Sequence, residues 1–182
     1  TSPVGTTVSM KPATLQNPLF INPFDVDNTN GNNIYFGGGN SAVSPNSIGI
    51  WRSVNALDAT PTWEFLTNSK DFVGDQVSFV QVSGNVLYIG TSGGKVYRLD
   101  NASSATAGTA TFTDISTGLP TGYVSGITVD PANSANVMIT FSNYRVNRVW
   151  HSTNSGGTWT NVGGNLNVEQ GPSVRAVKMF SV

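Results

Sequence analysis

Val149-Trp150-His151-Ser152-Thr153-Asn154-Ser155-Gly156-Gly157-Thr158-Trp159 reads as a strand, a tight polar turn and a return strand. Alternation puts Val149 and His151 on one face, with Trp150 and Ser152 on the other. Asn154 to Gly157 are turn residues, tolerant of unusual φ or able to bond their own backbone. Two weaker copies lie upstream. Ile50-Trp51-Arg52-Ser53 is followed by Trp63, and Val96-Tyr97-Arg98-Leu99 is followed by Phe112. The aromatics Trp51, Tyr97 and Trp150 stand 46 and 53 positions apart, a spacing that fits one small antiparallel sheet per repeat.

Working outward, that period predicts an all-β, β-propeller-like chain of repeated four-stranded antiparallel blades in an incomplete ring. A two-layer sandwich with coincidental aromatic spacing is the alternative. Residues 1–182 are read as one propeller-like domain or fragment, with units at about 18–67, 76–116 and 123–163 and a partial unit at 173–182. In the first unit Pro18 to Ile21 is the expected inner strand, closed by Asn22-Pro23-Phe24-Asp25. Asn33 to Phe36 follows and ends at Gly37-Gly38-Gly39. Ile48 to Ser53 and Thr62 to Leu66 complete the unit. In the second, Val77 to Val82 carries apolar residues on both faces, as a strand buried between neighbouring sheets does. Val86 to Thr91, Lys95 to Leu99 and Thr111 to Ile115 follow. The third unit runs through Val124 to Val129, Asn136 to Phe141, Arg148 to Ser152 and Thr158 to Val162. Its turn Asp130-Pro131-Ala132-Asn133-Ser134 parallels Asn22-Pro23-Phe24-Asp25. Ser173 to Phe180 opens a fourth unit. Thr6 to Met10 is either a short strand of a preceding blade or part of a poorly ordered arm. A ring on each third strand fills the wedge between blades and contributes about 2 kcal/mol or more as an anchor.

Composition narrows the classes. The 182 residues are 38% hydrophobic and only 10% charged, yet Val, Ile, Phe, Tyr and Trp recur in short alternating runs, so the chain buries a core. Nine basic and ten acidic residues leave a net charge of −1 and no basic patch, which argues against nucleic acid as a partner. With no Cys, disulfides, thiolate metal sites and thiol catalysis are excluded. No apolar run approaches the ~18 residues of a membrane span. Polar residues are mostly Ser, Thr, Asn and Gly, which points to a secreted or cell-surface bacterial protein. Thr1-Ser2-Pro3 reads as a processed terminus or the boundary of a longer chain.

Residues 152–159 resemble an Asp-box, or BNR repeat, of pattern Ser/Thr-x-Asp-x-Gly-x-Thr-Trp. Ser152, Gly156, Thr158 and Trp159 match, and Asn154 replaces the usual Asp while keeping a side-chain acceptor for turn amides. Gly118-Leu119-Pro120 and Val129-Asp130-Pro131 look like the lead-in of such blades. The family includes sialidases, sortilin-type receptors, xyloglucanase-type glycoside hydrolases and many secreted bacterial proteins. In it the box is a turn stapled to its own blade, away from the active centre. The resemblance therefore implies structural roles for Ser152, Asn154, Gly156, Thr158 and Trp159. The first unit matches loosely at Ile50-Trp51-Arg52-Ser53, and the second has Gly93-Gly94 but no box after Arg98.

No constellation of catalytic groups stands out. Glycoside hydrolysis needs two carboxylates facing the scissile bond about 5–10 Å apart, for which Asp25, Asp27, Asp75, Asp114 and Asp130 are the candidates. Turn capping is the simpler role for Asp25 and Asp130. Arg52, Arg98 and Arg148 lie on or beside third strands, a placement for stacking or surface pairing rather than for a sialidase-type triad. Arg145 and Arg175 do not complete that triad. His151 reads as a satisfied strand histidine. Asp25 to Gly31 looks like the start of a calcium loop, but the twelfth position is Phe36 and lacks the required carboxylate. No catalytic residue, metal ligand or cofactor is assigned. Asn143-Tyr144-Arg145 combines an amide, a ring and a charge, and is the candidate patch for a glycan or protein ligand. The expectation is a non-catalytic structural or ligand-binding module, with further blades of a parent chain or a self-association partner completing it. The alternative is a fragment of a glycoside hydrolase acting on polysaccharide, with catalytic carboxylates partly outside the chain.

Overall fold

The computed structural model describes residues 11–16, 21–42, 47–67, 72, 74–167 and 171–180. The expected strand at Thr6 to Met10, most of Pro18 to Ile21, residues 43–46 and the last two residues of the fourth unit lie outside these. Thirteen strands form three antiparallel sheets among the described residues. The first sheet holds β2 (Phe24–Val26), β3 (Ile34–Asn40), β4 (Ser47–Ser53) and β5 (Glu64–Phe65), with β1 (Leu15–Gln16) paired to the far end of β3. The second is β6 (Val77–Ser83), β7 (Val86–Thr91), β8 (Val96–Asp100) and β9 (Thr113–Asp114). The third is β10 (Val124–Val129), β11 (Val137–Phe141), β12 (Val149–Ser152) and β13 (Thr160–Asn161).

Ladder register makes the repeat explicit. Trp51 pairs with Phe36, Tyr97 with Ile89 and Trp150 with Ile139. The same rings pair outward with Phe65, Asp114 and Asn161. Trp63, Phe112 and Trp159 each stand two residues before those outer partners. One face of the second sheet, with Val80, Val82, Leu87, Ile89, Tyr97 and Phe112, packs on Tyr35 and Ile50 of the first. The corresponding face of the third, with Ile127, Val129, Val137, Ile139, Trp150 and Trp159, packs on Tyr88 and Val96 of the second. The middle sheet is thus covered on both sides, which accounts for the doubly apolar β6 and β7 and excludes a two-layer sandwich.

Close approach of the sheets depends on small residues near the inner edge. A Cβ on Gly37 would lie 2.7 Å from Val77 Cγ1, and one on Gly90 would lie 2.4 Å from Val124 Cγ1. In the third sheet Thr140 stands where Gly90 stands in the second, and its ladder partner Gly126 supplies the space instead. The expectation that Gly37-Gly38-Gly39 terminates a strand is therefore corrected. β3 runs through all three, because the neighbouring inner strand requires a bare backbone there.

Two further expectations change. The first inner strand is Phe24–Val26, so Asn22-Pro23-Phe24-Asp25 is not its closing turn. The true counterpart of the 130–136 turn is 27–33. Asp27 and Asp130 each accept an amide two residues on and a side-chain amide six residues on, from Asn33 and Asn136. The backbone bonds of the two loops also match one for one. The outer strands β5, β9 and β13 are each two residues long, shorter than the alternation suggested.

Candidate functional site

The polar turn after β12 is a closed hydrogen-bond cycle. Ser152 Oγ donates to Asn154 Oδ1 at 2.9 Å and accepts the amides of Asn154 and Gly156 at 3.2 and 2.9 Å. Asn154 Oδ1 accepts the Thr158 amide at 2.8 Å, and Asn154 Nδ2 donates to Thr158 Oγ1 at 3.0 Å. Gly156 has φ +92°, a conformation that calls for glycine, and a Cβ there would also displace Ile115 Cδ1, 2.4 Å away. Trp159 Nε1 donates 2.7 Å to the Ile115 carbonyl, fastening this turn to the second sheet.

A second turn, after β4, shares the core of this wiring. Ser53 Oγ donates to Asn55 Oδ1, which accepts the amide of Thr62 at 2.8 Å, and Trp63 follows. Three extra residues between Asn55 and Thr62 hid this copy from the spacing. In the second sheet Leu99 stands where Ser53 and Ser152 stand, and a short 3-10 turn at Ala102–Ser104 takes over. Ser152 is buried, so its replacement by Ala leaves the Gly156 amide without an acceptor. The expected cost is about 1–3 kcal/mol, read as a lower urea midpoint, with Ser53→Ala costing less because its bonds are longer.

The candidate ligand patch lies at the opposite end of the third sheet, on the loop between β11 and β12. Its conformation is fixed from two sides. Asn143 Oδ1 accepts the Tyr123 amide, and the Asn143 carbonyl accepts Arg148 Nε at 3.2 Å. The fully buried Arg148 also donates to the Leu166 carbonyl. Arg145 has φ +61°, a left-handed conformation that costs a non-glycine residue about 1 kcal/mol and that the surrounding bonds hold in place. Tyr144 stands 66% exposed, and Tyr123, beside Asn143 at the start of β10, is 45% exposed. Sequence reading missed Tyr123. Its signal was a ring directly after Gly122, but its place beside Asn143 depends on the register of β10 with β11. Asn143 itself is a positioning group, since Oδ1 is engaged within the protein.

The remaining charged candidates serve the framework. Arg52 and Arg148 are buried rather than at the surface, and Arg52 bonds the Ala102 carbonyl and Glu64. Arg98 pairs with Asp100 at 2.7 Å. Half-buried His151 sits in the ladder between Met138 and Thr160. Asp25 does not cap a turn. Its Oδ2 accepts the Val82 amide and Gln81 Nε2, both at 2.7 Å, bridging β2 to β6. Asp75 Oδ1 accepts Ser92 Oγ and the Gln76 and Gly93 amides. Among the described residues no three carboxylate or imidazole groups gather as a metal site.

Burial raises the Asp25 carboxyl above its ordinary range, with the Val82 amide only partly offsetting it. At Asp75 burial opposes ionisation, but hydrogen bonds from Ser92, Thr91 and two backbone amides outweigh it and lower the pKa. Asp130 is lowered by the Ala132 amide first, then by Asn136. The signs are opposite. Stability from Asp75 and Asp130 is present above the unfolded value near 3.9 and is lost as pH falls through their folded values. Asp25 contributes below that unfolded value and loses its contribution as pH rises through its folded value. Asp25→Asn is therefore expected to gain stability relative to the parent chain between pH 3 and pH 7, checked by urea unfolding at both.

No family model matches the chain, and no curated protein matches it significantly. Solved structures do. The GH74 enzyme of Niastella koreensis superposes with a TM-score of 0.52 at 21% identity over 75% of this chain. The GH74 xyloglucanase of Xanthomonas campestris gives 0.54 at 15% identity over 78%. The chain spans 21% and 23% of those proteins. At such identities the likeness speaks to architecture: this is an all-β, β-propeller-like chain whose four-stranded antiparallel blades form an incomplete ring.

Proposed function

We infer that the chain is a blade set from a secreted bacterial propeller protein and acts as a glycan-binding module, with Tyr144 and Arg145 contacting ligand and Asn143 setting their position. The observation that carries this reading is the exposed Tyr144 ring on a loop locked by Arg148 and Asn143, with exposed Tyr123 alongside. Rigid, amphipathic rings bind sugar faces at low entropic cost. The turns at 152–159 and 53–63 are read as two Asp-boxes with structural roles. Affinity electrophoresis against soluble plant and bacterial polysaccharides, xyloglucan included, tests the module. Retardation by at least one polymer, weakened about tenfold by Tyr144→Ala and also by Tyr123→Ala, is expected. Unchanged retardation in both variants would remove the patch from consideration.

A second reading, a piece of a glycoside hydrolase, draws on the two GH74 structures. Asp25 is engaged by Val82 and Gln81 of β6, Asp75 by the Ser92–Gly93 turn, Asp114 by Lys95, and Asp27 and Asp130 by their own loops, so these carboxylates are tied into the framework. Hydrolysis of xyloglucan by the full-length gene product, without binding by this chain, would favour that reading.

A further inference from the structure

The register places Phe24 and Val26 of the first sheet where the second has Val80 and Val82 and the third has Ile127 and Val129, and Ile21 stands three residues before Phe24 as Val77 and Val124 stand before Val80 and Ile127. The six residues of the second and third sheets are at most 9% exposed, because each packs on the sheet before it. In the first sheet the same places are 76%, 68% and 38% exposed. The apolar column continues across the strands. Phe36 stacks on Trp51 with centroids 6.3 Å apart, and Trp51 meets Phe65 at 5.0 Å. A groove of about 270 Å³ on this face is lined by Leu15, Phe24, Ile34 and Phe36 among others.

We propose that this face seats a further four-stranded blade of the parent polypeptide. The argument is continuity: the face is the same surface, residue for residue, that already forms two sheet–sheet interfaces. An inner-edge bond recurs at the second of these interfaces and where the third sheet meets residues 173–180. The Ser78 hydroxyl donates 2.7 Å to the Val124 carbonyl, and the Ser125 hydroxyl donates 2.7 Å to the Val174 carbonyl.

The repeat also decides against a second copy of this chain. Thr128 accepts the Met179 amide at 3.3 Å as Asp25 accepts that of Val82, which places 173–180 where the inner strand of a fourth blade would run. That segment is a single run of chain, whereas each established interface is made by a whole four-stranded sheet. At the place of Asp25 and Thr128 the segment carries Lys178, whose ammonium only donates.

The chain has no cysteine, so single thiols report cleanly. Phe24→Cys and the control Leu57→Cys, both at exposed sites, are to be labelled with a maleimide in this chain and in the full-length gene product. The expected result is equal labelling in this chain, and labelling at residue 24 slowed about a hundredfold in the longer product while residue 57 is unchanged. Equal labelling at both sites in the longer product would overturn the proposal. So would concentration-dependent protection of residue 24 in this chain together with a dimer by light scattering.

Discussion

Gly90→Val is expected to lower stability by about 3 kcal/mol, at the upper end of what overpacking costs. The first added carbon would lie 2.4 Å from Val124 Cγ1 and 2.7 Å from its Cβ. Neither atom can retreat, because Val124 is fully buried and its strand is held by β11 and by the Ser78 hydroxyl. The two sheets must separate at their inner edge, where they are closest. A urea unfolding series reads the change in midpoint, and Gly37→Val should behave alike through Val77. A midpoint within error of the parent chain would mean that the sheets do not approach as described.

Ile127→Ala is expected to cost about 2–5 kcal/mol, while Phe24→Ala at the matching ladder place costs less than about 0.5 kcal/mol. The side chains differ little in hydrophobicity. What differs is the neighbour: Ile127 is 1% exposed against the second sheet, and Phe24 faces solvent. Removing Ile127 leaves a cavity between two rigid sheets, whereas removing Phe24 only reduces exposed apolar surface. Comparable losses in both variants would contradict the assignment of Phe24 to an open face.

The sequence carried the repeat because two kinds of signal agreed. Aromatics recur on the third strands, and Gly, Asn and Ser clusters punctuate the apolar runs. Where signals were misread, a local preference had been taken for a cause. Three glycines look like the end of a strand, but Gly37 is there to admit Val77. Pro23 and Pro131 suggested one shared turn, whereas the shared element is the acid-to-amide pair spaced six residues apart, Asp27 with Asn33 and Asp130 with Asn136. The turn at Ser53 was obscured by its insertion. Asp25 looked like a cap because it sits near Pro23, yet its partner is an amide 57 residues away, which no local pattern reveals. For the candidate patch, Asn143-Tyr144-Arg145 was visible as composition. The contribution of Tyr123 and the fixing role of buried Arg148 depend on contacts across the sheet.

The claim beneath all of this is that neighbouring sheets touch where a glycine of one meets a valine of the next. Nuclear Overhauser contacts in a methyl-labelled sample test it directly. Strong cross-peaks are expected from the Hα protons of Gly90 to the methyls of Val124, and from those of Gly37 to the methyls of Val77. Their absence, with Gly90 Hα instead contacting residues of the first sheet, would contradict the side-by-side arrangement of blades.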